Sequence, residues 1–250
     1  MLSLVCAFTA TAQAAPVEQS VTFASTDDTV ELTGTLIRPT PTASRARLAA
    51  VVLQHGCAGV RPKTRQAAHD FATRGYVALI VDSFSARGVK RVCGRPRLVG
   101  PLKRASDAYA AKAYLSRLSY VDPDRIGLIG WSHGGWSALV AASGAQIPVG
   151  VTAFSGVVAY YPWCPDSLVG HASPILILIG ADDDWTPASR CEAMRTSSQH
   201  EVVVNVYPGA VHAFDAAFSV REYQGHAVGG HPEAAASAKR AMFDFLEAAL

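Results

Sequence analysis

The sequence predicts an α/β fold, in which a mostly parallel sheet carries helices on both faces. Short runs of β-branched residues alternate along the chain with longer Ala-rich stretches whose apolar residues recur at helical spacing. Several of the runs are apolar throughout, as strands buried on both faces are. The chain has 250 residues, of which 50% are apolar and 17% are charged. We therefore expect one compact domain over residues 15–250.

The first two strands are predicted at Val21–Ser25 and Val30–Arg38, where apolar and polar residues alternate. Such alternation is typical of a half-exposed antiparallel pair. The turn residues Thr26-Asp27-Asp28 stand between the two runs. We therefore expect a hairpin at one edge of the sheet.

Six later runs are apolar enough to be buried strands. They are Leu48–Leu53, Val77–Val81, Ile126–Gly130, Val151–Tyr160, Ile175–Ile179 and Val202–Val206. Helical spacing predicts the helices Lys63–Thr73, Pro101–Leu118, Gly134–Ser143, Pro187–Ser197 and Pro232–Ala249. With the hairpin, the sheet has about eight strands. Two long irregular connections, Asp82–Gly100 and Gly209–His231, leave strand ends, where functional residues commonly lie.

The charge balance and the hydropathy disfavour two classes of partner. The 22 Lys and Arg residues face 20 Asp and Glu residues, which leaves a net charge of +2. That field is too weak to gather nucleic acid or an anionic membrane. No stretch has the roughly 18 consecutive apolar residues that a membrane-spanning helix needs. A small molecule is the expected partner, and the oligomeric state stays open.

The N-terminal segment has features of a secretory signal peptide. Residues 1–14 form a short apolar run that ends in Ala12-Gln13-Ala14, a small-x-small cleavage pattern. We therefore expect the mature protein in the periplasm or outside the cell. No Lys or Arg occurs before Arg38, so the usual positive start is missing. A cytoplasmic protein with a frayed N-terminus is the alternative.

Cysteine usage agrees with export. Cleavage at that site removes Cys6 and leaves four cysteines, and an even number suits an oxidising compartment. Of the three possible pairings, we favour Cys57 with Cys93 and Cys164 with Cys191. The predicted fold brings each of these pairs into loops at one end of the sheet. Buried free thiols are the alternative.

The pattern G-x-S-x-G at Gly130–Gly134 supplies a candidate nucleophile, Ser132. It follows a predicted strand and opens a predicted helix. In that context the pattern carries a nucleophilic serine on a sharp, strained turn, and the glycines keep side chains out of the crowded space around it. Alone, the pattern is equally consistent with a tight strand-to-helix connection, so its partners must decide.

Two backbone N–H groups are expected to form an oxyanion hole beside Ser132. One belongs to His133, the residue after the candidate nucleophile. The other comes from the loop His55–Gly59, which directly follows the third predicted strand. Cys57 is the first choice for this donor, and Gly56 is the alternative. The side chains of this loop are expected to have structural roles.

A carboxylate and a histidine follow two later strands. Three adjacent carboxylates, Asp182 to Asp184, come directly after the strand Ile175–Ile179. We choose Asp183 as the residue that orients the base, with Asp182 next. His212 lies in the loop after the last predicted strand and fits the base. The order Ser, Asp, His is that of the α/β-hydrolase fold, and all three follow strand ends, where open α/β sheets bind ligands.

Taken together, these segments resemble the dienelactone hydrolase family of α/β-hydrolases. The resemblance rests on His55-Gly56-Cys57, Asp82-Ser83-Phe84 with Arg87-Gly88, Gly130-Trp131-Ser132-His133-Gly134, Asp183-Asp184-Trp185-Thr186-Pro187, and Tyr207-Pro208-Gly209-Ala210 before His212-Ala213-Phe214-Asp215. It implies an eight-stranded sheet and a Ser–Asp–His hydrolase that needs no cofactor. The family spacing Gly-x-x-Asp-x-x-x-Pro, here Gly180 to Pro187, also implies Asp183 as the acid.

One position departs from that family. The dienelactone hydrolases that give the family its name use a cysteine nucleophile, whereas the matching residue here is Ser132. A serine is a weak nucleophile unless an adjacent base activates it. This departure makes dienelactone itself a doubtful substrate, and ordinary carboxylic esters become the better expectation.

Contacts with the substrate are predicted more loosely. Arg87 lies in the region where the family places an arginine that grips a substrate carboxylate; a solvated loop cation, or a partner for the region of Asp82, is the alternative. Aromatic residues adjoin the site in loops, which favours an apolar acyl or aryl pocket, with lid or core packing as the alternative. These residues are Trp163, Trp185, Phe214 and Tyr161.

The sequence therefore predicts a serine hydrolase that cleaves carboxylic esters, with lactones as a further substrate type, through an acyl-enzyme on Ser132. A hydrolase-fold protein that binds a small exported ligand without turnover is the alternative from a different class. A peptidase or an acyltransferase with the same three residues is also open. His226 and His231 lack ligand partners at suitable spacing, so we predict no metal site.

Overall fold

A computed structural model of the chain describes residues 15–26, 30–40 and 46–250. The predicted signal segment 1–14 lies outside the described residues, as do Asp27 and Asp28 of the predicted hairpin turn. Within the described ranges, no helix is both long enough and apolar enough to cross a membrane.

The described residues contain twelve strands and five α-helices. The strands are β1 (Val17–Ala24), β2 (Glu31–Arg38), β3 (Leu48–Gln54), β4 (Val77–Asp82), β5 (Val121–Trp131), β6 (Val157–Tyr160), β7 (Ser167–Val169), β8 (Ile175–Gly180), β9 (Arg195–Ser197), β10 (Val202–Tyr207), β11 (Arg221–Tyr223) and β12 (His226–Val228). The helices are α1 (Pro62–Thr73), α2 (Pro101–Ser116), α3 (His133–Ala142), α4 (Ala188–Glu192) and α5 (Pro232–Ala249). A 3₁₀ turn at Ser85–Arg87 follows β4.

Eight of these strands form one sheet in the described part of the chain, in the order β1-β2-β4-β3-β5-β6-β8-β10. The pairs β1 with β2 and β2 with β4 are antiparallel, whereas the other pairs in this sheet are parallel. The predicted fold class is therefore confirmed, with the hairpin at one edge. The central runs are apolar throughout because both of their faces are covered; Ala50–Leu53 of β3 is fully buried.

Two glycines of β5 demonstrate that helices cover both faces of the sheet. A Cβ at Gly127 would lie 3.0 Å from a methyl carbon of Leu246 in α5. A Cβ at Gly130 would instead lie 2.1 Å from the carbonyl oxygen of Gly134 in α3. Positions three apart in a strand point to opposite faces. Helix α1 packs beside α5 on one face, and α2 packs beside α3 on the other.

The strand predicted over residues 151–160 is shorter in the structure, where β6 begins only at Val157. The Ser155 N–H donates to the Ile126 carbonyl oxygen at 3.0 Å. The ring of Phe154 packs against Tyr109 of α2, with ring centroids 4.9 Å apart. Packing of Phe154 on a helix keeps the first half of the apolar run out of the sheet.

The helix predicted over residues 187–197 was wrong in its second half. Helix α4 ends at Glu192, and Arg195–Ser197 forms β9, which pairs in parallel with β7. A disulfide joins Cys191 to Cys164, and the N–H of Arg195 donates to the Asp166 carbonyl oxygen at 3.1 Å. These links hold the end of the run against the preceding loop, so the helix stops.

Candidate active site

Ser132 lies on the turn between β5 and α3. Its φ is 53° and its ψ is −116°, a conformation that is unfavourable for a residue with a Cβ. The glycines around it are required by close packing. A Cβ at Gly130 would lie 2.1 Å from the Gly134 carbonyl oxygen, and one at Gly134 would lie 2.3 Å from the Gln54 carbonyl oxygen. The strained turn expected from the sequence is present.

His212 brings a candidate base to the hydroxyl of Ser132. It lies in the loop after β10, and its Nε2 is 2.9 Å from Ser132 Oγ. The hairpin of β11 and β12 holds the backbone of this loop, because the Gly229 N–H donates to the His212 carbonyl oxygen at 3.0 Å and His212 forms a parallel bridge with Val228. The imidazole is buried, so bulk water competes little for its hydrogen bonds.

Asp183, rather than Asp182, contacts the other ring nitrogen of His212. Asp183 Oδ2 lies 2.8 Å from His212 Nδ1, whereas Asp182 is exposed. An ionised carboxylate only accepts, so Nδ1 carries the proton and Nε2 is left to accept from the serine hydroxyl. The other carboxylate oxygen accepts the N–H groups of Trp185 and Thr186 at 3.0 and 2.8 Å. These bonds hold the carboxylate in place.

The two residues predicted to supply the oxyanion hole, Cys57 and His133, lie in the same cavity as Ser132. His133 is the first residue of α3, and the first N–H groups of a helix have no acceptor within it. The partial positive charge at a helix N-terminus favours an anion there. Gly56 is also close, since a Cβ there would be 3.8 Å from Ser132 Cβ, so the choice of Cys57 as second donor stays a prediction.

A buried arginine joins the two segments that carry these donors, and sequence reasoning missed it. Arg104 of α2 is fully buried. Its Nη2 donates to the His55 carbonyl oxygen at 2.6 Å, and its Nη1 lies 2.7 Å from His133 Nδ1. Because a guanidinium only donates, Nδ1 must accept. His133 Nε2 therefore carries the proton and donates to the Pro96 carbonyl oxygen at 2.7 Å.

Burial and the Arg104 charge keep both histidines of this cluster neutral at pH 7. Burial, followed by the neighbouring Arg104, lowers the pKa of His55 to about 3 and the pKa of His133 to about 4. Burial also lowers the pKa of Arg104 itself, to about 9. The guanidinium therefore stays charged at neutral pH, in contact with the His55 carbonyl oxygen and the His133 ring.

Arg87 does not occupy the substrate-binding position that the family resemblance implied. Its two terminal nitrogens donate to the two carboxylate oxygens of Asp107 at 2.8 Å each. One of them also donates to the Ser83 carbonyl oxygen at 2.7 Å. The Asp107 carboxylate is fully buried, and a buried carboxylate is costly without a bidentate cation. Arg87 is therefore a paired loop cation, but the acid it pairs with is Asp107 of α2 rather than Asp82.

Ser132 opens into a cleft with two lobes. We call the lobe of about 630 Å³ the larger lobe; it contains His212 in its wall. Four cationic side chains also line it, and these are Arg61, Lys63, Arg91 and Arg221. We call the lobe of about 360 Å³ the smaller lobe. Its walls are mostly apolar, and they include Cys57, Cys93, Pro96, Trp136, Trp163 and Trp185.

The structure separates the aromatic residues that the sequence placed at this site. Trp163 lines the smaller lobe, and Trp185 lines both lobes. Tyr161 lines the larger lobe. Phe214 is instead fully buried in the core, with its ring centroid 5.5 Å from that of Tyr161, so its predicted pocket role is wrong. Trp136 was missed, because one tryptophan in the first turn of a helix looks like an ordinary packing residue.

A polar network that the sequence analysis also missed joins the loop of His212 to the strand ends beside the serine. Asp215 accepts from Trp131 Nε1 at 3.0 Å and from the Tyr161 hydroxyl at 2.7 Å. Lys63 of α1 donates to the Tyr161 hydroxyl at 2.8 Å and pairs with Asp215. Asp215 thus fixes the loop three residues after the candidate base.

The chain has two disulfides among its described residues, and one of them, Cys57–Cys93, lines the cleft. The two bonds join Cys57 to Cys93 and Cys164 to Cys191, which are the pairs favoured from the sequence. The first ties the loop after β3 to the loop after β4, where the Val92 N–H also donates to the Cys57 carbonyl oxygen at 2.8 Å. Over the described residues, no three His, Cys, Asp or Glu side chains are grouped to hold a metal ion.

Comparison with known proteins finds one family model that covers most of the chain. The model of the dienelactone hydrolase family matches residues 33–250. A Bradyrhizobium protein named as a probable 2-oxo-3-(5-oxofuran-2-ylidene)propanoate lactonase is 31% identical over 195 residues, which are 72% of this chain and 77% of that protein.

Solved structures share the fold at lower identity. A dienelactone hydrolase from Anabaena variabilis is 23% identical, with a TM-score of 0.64, over 94% of this chain and 99% of that one. A promiscuous dienelactone hydrolase-like phosphotriesterase from metagenomic libraries is 19% identical, with a TM-score of 0.73, over 93% of this chain and 98% of that one. At these identities the similarity establishes the architecture.

Proposed function

This chain belongs to the dienelactone hydrolase family, and from that premise we propose that it is a serine hydrolase that cleaves carboxylic esters through an acyl-enzyme on Ser132. The observation that carries the proposal is the hydrogen-bonded series from Ser132 Oγ to His212, at 2.9 Å, and from His212 to Asp183, at 2.8 Å. A serine hydroxyl needs a base at this distance to become a nucleophile, and the base needs an orienting group.

In the acylation step, Ser132 Oγ attacks the ester carbonyl carbon while its proton passes to His212 Nε2. The imidazolium that forms is stabilised by Asp183, which accepts from Nδ1. The carbonyl oxygen becomes an oxyanion and accepts from the N–H groups of His133 and Cys57. The tetrahedral intermediate then collapses, the C–O bond to the alcohol breaks, and His212 returns its proton to the departing alkoxide.

In the second step, water frees the acyl group. His212 takes a proton from the water as its oxygen attacks the acyl carbon, and the same two N–H groups stabilise the second oxyanion. Collapse breaks the bond to Ser132 Oγ, which recovers the proton from His212. The products are a carboxylic acid and the free serine.

Lactones are a second substrate type within the same proposal. A lactone is a cyclic ester, so after Ser132 attacks, the alcohol group remains covalently attached to the acyl group. Hydrolysis of the acyl-enzyme then releases both as one hydroxy acid. What supports this extension is the relative named as a lactonase, which matches 72% of this chain. The catalytic steps are otherwise unchanged.

A fluorophosphonate probe tests the proposal directly, because only an activated serine reacts with it. We expect one label per chain, hydrolysis of p-nitrophenyl acetate, and loss of both in Ser132→Ala. Asp183→Asn should keep the fold and lose less activity than His212→Gln, since it disturbs only the orientation and charge of the base. A folded protein that neither labels nor turns over any ester would instead be a binding protein.

A further inference from the structure

The two lobes of the cleft differ in their relation to the candidate base. Ser132 and Cys57 line both lobes, whereas His212 lines only the larger lobe and His133 lines only the smaller one. In the proposed mechanism His212 gives its proton to the departing alcohol, so that alcohol must lie beside the imidazole. The alcohol therefore lies in the larger lobe, and the acyl group extends into the smaller lobe.

Three indole rings line the smaller lobe. Trp136 projects from the first turn of α3, where its backbone N–H donates to the Ser132 carbonyl oxygen at 2.9 Å. Trp185 lies against His212, with ring centroids 5.0 Å apart. Trp163 is 38% exposed and forms the outer part of the wall. Its position depends on its neighbours rather than on deep burial.

One neighbour, Arg190, packs on the Trp163 ring. The Arg190 guanidinium lies 4.3 Å from the ring centroid, within the range of a cation–π contact. Arg190 is held in turn by the Asp166 carboxylate at 2.9 Å and by the Cys164 carbonyl oxygen at 3.2 Å. This contact favours one orientation of the indole before any ligand arrives, which lowers the entropic cost of using it as a binding surface.

The rest of the smaller lobe is also suited to a flat apolar group. The Cys57–Cys93 disulfide and Pro96 line it, and sulfur makes favourable contacts with aromatic rings. Among the described residues of this wall none is acidic, and Arg97 is the cationic one. Its volume of about 360 Å³ is within the range of small-molecule sites.

We propose that the smaller lobe is an acyl-binding site for aromatic acids, so that this protein prefers esters whose acyl group carries an aryl ring. This inference rests on the proposed function, because the acyl side is defined by the position of the base. Indole rings favour an aromatic ligand over a saturated ring of the same size, since aromatic pairs gain stabilisation beyond the area they bury.

The test compares p-nitrophenyl benzoate with p-nitrophenyl cyclohexanecarboxylate, which share a leaving group and differ in the aromaticity of the acyl ring. The measured quantity is the ratio of their kcat/KM values. We expect Trp163→Leu and Trp136→Leu each to lower this ratio by about two- to tenfold. The exposed position of Trp163 keeps its variant folded. Phe218→Leu, which removes a ring from the larger lobe, is the matched control and leaves the ratio unchanged.

A second pair of substrates tests the orientation. Phenyl acetate carries its ring on the alcohol side, so its hydrolysis should not respond to Trp163→Leu, whereas that of methyl benzoate should decrease. The inference is overturned if the benzoate ratio is the same in both tryptophan variants as in the parent, or if Phe218→Leu lowers it equally. Failure of the proposed function is a separate outcome, in which neither ester is cleaved and Ser132 is not labelled by the fluorophosphonate.

Discussion

The backbone of Ser132 is strained, and a residue without a Cβ would release that strain. At a φ of 53°, Ala has the same steric problem as Ser, whereas Gly adopts such a conformation readily. We expect Ser132→Gly to be about 1 kcal/mol more stable than Ser132→Ala, because relief of the strain outweighs the extra freedom of an unfolded glycine. Urea unfolding at pH 7 measures the difference.

Both variants lack the hydroxyl, so activity does not complicate this comparison. Gly75→Ala is a useful reference, because Gly75 also has a positive φ and a Cβ there would have nothing within 4 Å among the described residues. Its loss of stability reports backbone conformation alone. A Ser132→Gly protein that is less stable than Ser132→Ala would mean that the turn is not strained.

The buried histidines predict a loss of stability in mild acid. The pKa values of His55 and His133, about 3 and about 4, lie below the 6.5 or so of an unfolded histidine. Between pH 6.5 and pH 4 the unfolded chain therefore binds more protons than the folded protein, and stability falls as the pH falls. With two such groups, the free energy of unfolding falls by about 2–3 kcal/mol for each unit by which the pH is lowered.

Urea unfolding at pH 6 and at pH 5 measures this slope. Most carboxylates titrate below pH 5, so they contribute little to it. His133→Gln keeps an acceptor for Arg104 but removes one titrating group, so its slope should be about half that of the parent. If the parent and His133→Gln have equal slopes, the environment described for His133 is wrong.

The sequence allowed Ser132, Asp183 and His212 to be selected because each follows a strand end at a spacing that the chemistry requires. Arg104 could not be selected, since nothing local distinguishes it from a solvated helical cation. Helix α2 buries Arg104, Asp107 and Lys112, and charged side chains on a buried face contradict the usual amphipathic pattern. Such residues are identified only when their partners, which lie far along the chain, are known.

At the scale of elements, the two disulfides have different relations to the proposed oxyanion hole. Their cysteines are separated by 36 and 27 residues, so each contributes about 3–4 kcal/mol through the entropy of the unfolded chain. Cys57–Cys93, however, also links the loop that carries the proposed donor, the Cys57 N–H, to the loop after β4. We expect Cys57→Ala/Cys93→Ala to lower kcat for p-nitrophenyl acetate about tenfold or more.

The pair Cys164→Ala/Cys191→Ala is the matched control for that experiment. It should lose similar stability, measured by thermal unfolding, yet keep kcat for an acetyl ester, which is too small to reach Trp163. Equal losses of kcat in both double variants would indicate a general effect of stability and would remove the assigned role of the Cys57 loop.

The errors in predicting elements have one physical origin. Helix α4 and strand β6 are both shorter than the segments predicted for them, and each is cut short by a contact with a distant residue. Cys191 bonds to Cys164, and Phe154 packs on Tyr109. The long buried strands were predicted well, because covered faces on both sides require an apolar residue at nearly every position.

For the whole molecule, we propose that the protein is exported and cleaved after Ala14. Four of its five cysteines are in the two disulfides, which are stable in an oxidising compartment; the fifth, Cys6, precedes the proposed cleavage site. We expect protein recovered from the periplasm or the medium to begin at Ala15 and to contain no free thiol. Titration with a thiol reagent in denaturant, together with the intact mass, measures both.

The full-length chain made in the cytoplasm under reducing conditions is the control, with five thiols per chain. If the exported protein starts at Met1 and has one free thiol, its disulfides are formed but the proposed cleavage after Ala14 is refuted. The overall architecture itself was predictable, because six apolar runs, most of them separated by helical segments, leave few alternatives to a mostly parallel sheet.

The loop after β10 is anchored near His212, whereas the tip of the hairpin that follows is free to vary in sequence and length. Asp215 fixes the start of this loop and Gly229 fixes its end at His212. The hairpin between them reverses at Gln224 and Gly225, both with positive φ, which is a tight two-residue turn. Insertions at that tip can therefore reshape the mouth of the larger lobe while the base keeps its place. A combinatorial library built there would diversify the accepted alcohols without redesign of the catalytic centre.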